Sequence, residues 1–227
     1  MNYMHTSIMI YVIITTCLTS TSWCDAPTRE EQYKRGIQSI LQRCKGTPNI
    51  RVIAVEGNGP RKTFLDELGL DAVFYTHSNK FPTGNYGTKE FLDIMQCIFH
   101  FNMQDHDFVV KMTGRYYLDE KCPFMDSIQM LSNPDYQYVL DVVFRYGTST
   151  PSEMHDYKQD MCHTSLIGMR VYYLRNIGQL DAPPCSPVEK YWVLVIRQIP
   201  QDKQRILKQL GIHINLAWSC SPNYYLT

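Results

Sequence analysis

Lys111, Thr113, Gly114 and Arg115 are the residues whose types and spacing could best do chemistry in this chain. They follow a short apolar run, Phe108 to Val110, that reads as a buried strand entering a polar turn. In an open α/β sheet, ligands bind beyond the carboxyl ends of the strands. A lysine and an arginine there suit a phosphate-bearing ligand. Arginine grips oxygens in pairs, and glycine lets a ligand approach the backbone. The competing reading is an ordinary turn whose cations pair with Asp119 and Glu120.

Other residues are candidates on weaker grounds. Asp105-His106-Asp107 has the Asp-x-Asp spacing that can hold a divalent metal, but it precedes the strand and so belongs at the amino end of the sheet, as a solvated turn. Asn85, Gly87 and Thr88 stand where a helix begins, and free backbone N–H groups at a helix start favour anions or hydroxyl-rich ligands. Simple capping by Asn85 or Thr88 explains the same residues. Glu189 and Glu153 are carboxylates able to take a proton from an attacking hydroxyl, and His155, His163 and His213 are scattered. A structural role is the simpler reading for each histidine. Gly-x-Ser-x-Gly, a Walker loop and His-Glu-x-x-His are absent, which counts against the common hydrolases, P-loop NTPases and zinc proteases.

These residues need elements to position them, and the chain alternates strands and helices. Thr28 and Glu31 form a capping box for a helix with Tyr33, Ile37, Ile40, Leu41 and Cys44 on one face. Arg51 to Val55 and Ala72 to Thr76 read as strands, with a short helix from Lys62 to Leu68 between them. Thr88 to Phe101 is a second amphipathic helix. Tyr136 to Tyr146, Thr164 to Met169 and Ile212 to Trp218 read as strands; Val171 to Ile177, Val188 to Ile199 and Gln201 to Leu210 read as helices. Such alternation predicts an α/β, Rossmann-like layered sheet flanked by helices. Nothing marks a boundary within residues 25–227, which are expected to be a single domain.

Composition bounds the rest. The 227 residues are 44% apolar, enough to bury a full core. Lysine plus arginine equals aspartate plus glutamate, 22 each, so no global charge draws the chain to nucleic acid, and any anion site must be local. Ile8 to Leu18 is apolar and too short for a comfortable membrane span, and Ser22-Trp23-Cys24 offers small residues for cleavage. Residues 1–24 are therefore expected to be a signal peptide, or an uncleaved signal anchor that would hold the chain at a membrane. Either implies the secretory pathway, luminal or secreted. Of eight cysteines, Cys44, Cys97, Cys122, Cys162, Cys185 and Cys220 would remain after cleavage, an even set that suggests disulfides. Buried free thiols are the alternative.

Three segments, Asn85-Tyr-Gly-Thr-Lys-Glu90, Asp107-Phe-Val-Val-Lys-Met-Thr-Gly-Arg-Tyr116 and Thr164-Ser-Leu-Ile-Gly-Met-Arg170, in that order, resemble small glycosyltransferase-like proteins of the A-type, nucleotide-sugar-binding fold. The resemblance spans roughly Arg51 to Arg170. It implies a mixed sheet, a nucleotide-sugar donor, a glycan or protein acceptor, and transfer of the sugar to an acceptor hydroxyl. On that reading Lys111 and Arg115 stabilise the leaving diphosphate, Asn85, Gly87, Thr88, Thr113 and Gly114 shape the donor pocket, and Glu189 is the base. A-type enzymes usually hold manganese or magnesium with Asp-x-Asp after the central strand. This chain carries Met112-Thr113-Gly114-Arg115 there, which leaves the metal without its usual ligands. The same departure supports a second expectation, a binding module with a degenerate site.

Overall fold

A computed structural model of the chain describes residues 8–19, 26–81, 86–147, 161–177, 188–214 and 224–226. Its centre is β1, Ile10–Thr16. This strand pairs in parallel with β2, Ile50–Glu56, on one side and with β4, Phe108–Thr113, on the other. β3, Ala72–Tyr75, extends the sheet beyond β2. Beyond β4 lie β7, Leu166–Arg170, and β6, Val142–Phe144, both in antiparallel pairing, and then β8, Gln204–Ile206, parallel to β6. The order is β3-β2-β1-β4-β7-β6-β8, a seven-stranded mixed sheet. A small antiparallel sheet joins β5, Tyr117–Leu118, β9, Ile212–Ile214, and β10, Tyr224–Leu226.

The two faces of β1 show why the sheet is covered on both sides. Successive strand residues point to opposite faces. Ile10, Val12 and Ile14 enter one core with Ile37 and Ile40 of α1, Ala26–Cys44, and with Phe124 and Ile128 of α3, Pro123–Leu131. Tyr11 and Ile13 enter the other core. There they meet Ile94 and Ile98 of α2, Tyr86–His100, Leu174 of α4, Val171–Asn176, and Trp192 and Val193 of α5, Val188–Ile196. A strand buried on both faces reads as a continuous apolar, β-branched run rather than an alternation.

That property corrects the reading of residues 1–24. The apolar run is the central strand, hydrogen-bonded along both edges, and cleavage after Cys24 would remove it. A signal peptide is not supported, and the run says nothing about secretory routing. Among the described residues, no helix is long and apolar enough to cross a membrane. The expected disulfides are also corrected. Cys44, Cys97, Cys122 and Cys162 are buried free thiols. Cys44 and Cys122 lie in the α1 and α3 core, and Cys97 and Cys162 in the other. Burial pushes the Cys44 and Cys97 thiols up to about 12 and Cys122 up to about 11, so they stay protonated and unreactive. Cys24, Cys185 and Cys220 lie outside the described residues.

Most other elements fall where periodicity puts them; α3, β5 and β10 go unread in the sequence, and three expected elements differ. α1 begins at Ala26, so Thr28 lies inside the helix instead of capping it. Only Val142–Phe144 of the expected Tyr136–Tyr146 strand is extended, because residues 134–139 turn. Gln201–Leu210 is a 3₁₀ turn at Gln201–Lys203 followed by β8, not a helix. Pairing with β6 overrides the modest helix preference of Gln, Lys and Leu there.

Candidate active site

The strand order reverses at β1: β2 and β3 build out on one side, β4 and β7 on the other. The carboxyl ends of β1 and β4 therefore flank the crevice where an open α/β sheet receives its ligand. β4 runs further than the apolar residues indicate. Lys111 and Thr113 belong to the strand, and the turn begins only at Gly114 and Arg115.

Lys111 is buried at the carboxyl end of β4, 3% exposed. Its Nζ donates to Glu90 Oε2 at 2.8 Å, to Thr113 Oγ1 at 2.8 Å and to the Thr164 carbonyl at 2.6 Å. Glu90 Oε1 accepts from Thr15 Oγ1 at 2.9 Å and from Thr113 Oγ1 at 3.4 Å. One helix, α2, thus sends a carboxylate across to the ends of both β1 and β4. Glu90 stands in the first resembling segment, with no role implied for it there. Its approach to Lys111 is tertiary, and helical spacing on α2 alone gives no sign of it.

The place of Gly114 has a packing cause. A Cβ there would lie 2.8 Å from Ile14 Cγ2, 3.0 Å from Tyr33 Cδ1 and 3.1 Å from the Thr15 carbonyl. The glycine lets β4 close on β1 and α1, so the space expected for a ligand is filled by protein. Arg115 follows at this junction, half-buried, and its charge is felt at the buried phenols of Tyr33 and Tyr116. Burial, opposed by the Arg29 and Arg115 charges, pushes Tyr33 up to about 12. Tyr33 Oη accepts from the Cys17 backbone N–H at 2.9 Å and so fixes the chain as it leaves β1.

Glu56, wholly buried at the end of β2, organises the neighbouring loops. Its carboxylate accepts from Thr16 Oγ1 at 2.8 Å, from the Leu18 N–H at 3.0 Å, from Asn58 Nδ2, and from Arg61 Nη2 at 3.1 Å. Arg29 Nε donates to the Cys17 carbonyl at 2.7 Å. Beside these groups opens a cleft of ≈ 270 Å³ lined by Leu18, Thr19, Arg29, Glu30, Arg61, Thr63 and Phe64. Cys17, half-buried, accepts from Asn79 Nδ2 at 3.2 Å and bridges the ends of β1 and β3. Read along the chain, Glu56 is merely the first residue of a loop. A glutamate closing an apolar strand is the signal that could have found it.

Asp93 anchors α2 to the end of β3. Its carboxylate accepts from Ser78 Oγ at 2.9 Å and from Thr76 Oγ1. Burial pushes Asp93 up to about 6, against the two hydroxyl bonds that hold it down, with Glu90 and Glu56 adding to the rise. A carboxyl whose folded pKa is raised contributes most below its unfolded pKa and loses that contribution as pH rises through the folded value. Wild type should therefore lose on the order of 3 kcal/mol of stability between about pH 4 and pH 7 that Asp93→Asn does not lose. Urea unfolding of both proteins across that range checks it; identical pH profiles would remove Asp93 from the account.

The remaining expected residues are placed as follows. Gly87 and Thr88 lie in the first turn of α2, and Asn85, Glu153 and His155 fall outside the described residues. Glu189 is the second residue of α5, and its carbonyl accepts from Cys162 Sγ at 3.5 Å, beside the segment that enters β7. That puts it on the carboxyl side of β4, although the carboxylate that meets Lys111 is Glu90. His163 is buried, and burial, with the Arg145 and Lys111 charges adding to it, lowers its pKa to about 3. His213 pairs with Asp119 and stacks on Tyr117 in the small sheet. Asp105 and Asp107 lie at the amino end of β4. Asp107 is buried rather than solvated, and accepts from the Met9 and Gln104 N–H groups at 3.0 and 2.7 Å. Asp105 pairs with Arg175.

No family model matches the chain, and no curated protein matches it in sequence. Solved structures do. The structure of S. aureus TarS 1–349 superposes with a TM-score of 0.55 at 13% identity, over 97% of this chain and 60% of that one. A cytidylyltransferase from Leptospira borgpetersenii serovar Hardjo-bovis gives 0.50 at 11% identity, over 88% and 76%. A Desulfovibrio desulfuricans protein assigned as a nucleotide-diphospho-sugar transferase gives 0.48 at 14%, over 88% and 80%. The chain thus spans less than two thirds of the TarS structure, and identities this low speak for fold. The chain has the fold of the TarS and cytidylyltransferase structures, a seven-stranded mixed sheet with helices on both faces.

Proposed function

We propose that this protein is a glycosyltransferase that binds a nucleotide-sugar donor across the carboxyl ends of β1 and β4. The observation that carries the reading is the strand-order reversal at β1, where Thr15, Glu90, Lys111 and Thr113 join the carboxyl ends of β1 and β4, with Arg115 at the turn and a cleft containing arginines and an aromatic ring beside them. The nucleoside fits the cleft of Arg29, Arg61 and Phe64, and the diphosphate runs towards Arg115, whose planar fork suits paired phosphate oxygens. An acceptor hydroxyl then attacks the anomeric carbon, with Glu189 as the proposed base.

A titration with a panel of nucleotide sugars tests this. A donor at a hundred times its dissociation constant should stabilise the fold by about 2.7 kcal/mol. Arg115→Ala should weaken binding about ten- to a hundredfold, the worth of a hydrogen bond to a charged group. Bound donor should also slow alkylation of Cys17, read by mass mapping of its peptide. No binding to wild type, or unchanged binding in Arg115→Ala, would remove the reading.

One observation favours a second reading, a module that binds the donor without turning it over. Met112 to Arg115 replaces the acidic pair of the A-type enzymes, and Lys111 is occupied within the protein. Donor binding with neither transfer nor donor hydrolysis, across a panel of acceptors, would select it.

A further inference from the structure

The A-type resemblance implies a divalent metal between the donor phosphates and an Asp-x-Asp at the carboxyl end of the strand that is β4 here. The described residues do not fit one. Among the described residues, no group of three or more His, Cys, Asp or Glu could hold a metal ion. Asp105 and Asp107 lie at the opposite end of β4 and are engaged there with Arg175 and with backbone N–H groups. Among the described residues, the carboxylate of Glu90 meets the carboxyl end of β4, and its oxygens are taken by Lys111, Thr15 and Thr113.

We propose that the tethered ammonium of Lys111 occupies the oxygen ligands that a divalent cation would need at the end of β4, so that donor binding is independent of metal. The inference rests on the donor-site reading above. An ammonium has three N–H donors and no acceptor. Lys111 spends all three on oxygens within 2.8 Å: Glu90 Oε2, Thr113 Oγ1 and the Thr164 carbonyl. That is an oxygen cage holding one positive charge, closed by Glu90 and joined to β1 through Thr15. Magnesium and manganese need carboxylate and other hard oxygen ligands, and dehydrate only for them. To enter, a metal would have to expel an ammonium held by the covalent chain. Lysine suits this cage better than arginine because its charge is compact. The cage cancels the charge of Glu90, which would otherwise repel a diphosphate, and leaves Arg115 to meet the phosphates directly. Lys111 is therefore a positioning residue and does not contact the donor.

Three measurements decide it. Calorimetric titration of wild type with Mn²⁺ alone, and with Mg²⁺ alone, should show no binding at the end of β4. A Mn²⁺ site in wild type that Glu90→Gln abolishes would overturn the proposal. Lys111→Ala opens the cage, so ammonium, methylammonium or Mg²⁺ should raise its melting temperature while leaving that of wild type unchanged. Equal responses in the two proteins would overturn it. If Lys111→Ala does not fold, the wild-type metal titration decides alone. Donor affinity in wild type should change by less than about twofold between EDTA and Mn²⁺, and a gain above about tenfold with Mn²⁺ would overturn the proposal. If no nucleotide sugar binds under either condition, the donor reading fails, and the first two measurements still test the cage.

Discussion

A chain that begins at Asp25 is expected not to fold. Truncation there removes β1, which pairs with β2 over Ile10 to Thr16 and with β4 over Ile10 to Thr15. Burial of Ile10, Val12, Ile13 and Ile14, each no more than 1% exposed, is worth about 6–12 kcal/mol. The whole stability of a domain this size is about 5–15 kcal/mol. The loss also leaves two strand edges open in the middle of the sheet, a template for aggregation. Residues 25–227 alone should show no cooperative urea transition, whereas the full chain should show one. Mass analysis of the natural protein should find Ile10 to Thr16 retained. A cooperatively folded 25–227 chain would contradict the position of β1. The same cut would take Thr15, Thr16 and Cys17 from the candidate site, so a cleaved protein should also fail to bind donor.

The second large effect concerns the Lys111–Glu90 pair. Lys111→Met leaves Glu90 without its cation, and breaking a buried pair from one side costs about 3–5 kcal/mol. The Glu90 side chain is 30% exposed, so water screens part of that and the expected loss is about 2–4 kcal/mol. Lys111→Met with Glu90→Gln should recover most of it, because neither buried charge is then unpaired. The amide oxygen that Glu90→Gln introduces would still accept from Thr15. Urea unfolding of the two single variants and the double variant gives the coupling energy directly. Additive losses would mean that the pair does not act as a unit. Donor binding then separates stability from function: the double variant should be stable while losing the geometry that Lys111 imposes on Thr113 and Thr164.

These outcomes turn on features of different legibility. The α/β class, α2 and strands β2, β3 and β7 follow from apolar periodicity and turn residues, because each has a face or an end that meets polar surroundings. The placement of Asp105 and Asp107 at the amino end of β4 followed from chain direction alone. The site was partly legible: Lys111, Thr113, Gly114 and Arg115 do lie at the carboxyl end of β4, at the strand-order reversal. Their individual surroundings were not. Gly114 looks like room for a ligand until Ile14 and Tyr33 are seen to fill the space.

What the sequence determined by itself, then, is the alternation of strands and helices and the polar composition of one strand end. Both are local: a side chain's period along its own element reports which face is buried. Tertiary structure alone decided three things. It made the N-terminal apolar run the central strand, because a short apolar run has no period that tells a doubly buried strand from a targeting segment, and the hydrogen bonds from β2 and β4 decide it. It kept Cys44, Cys97, Cys122 and Cys162 apart from disulfide pairing by dispersing them through two cores. And it set Glu90 of α2 against Lys111 of β4, turning a cation that reads as a phosphate ligand into one already neutralised by a partner from another element.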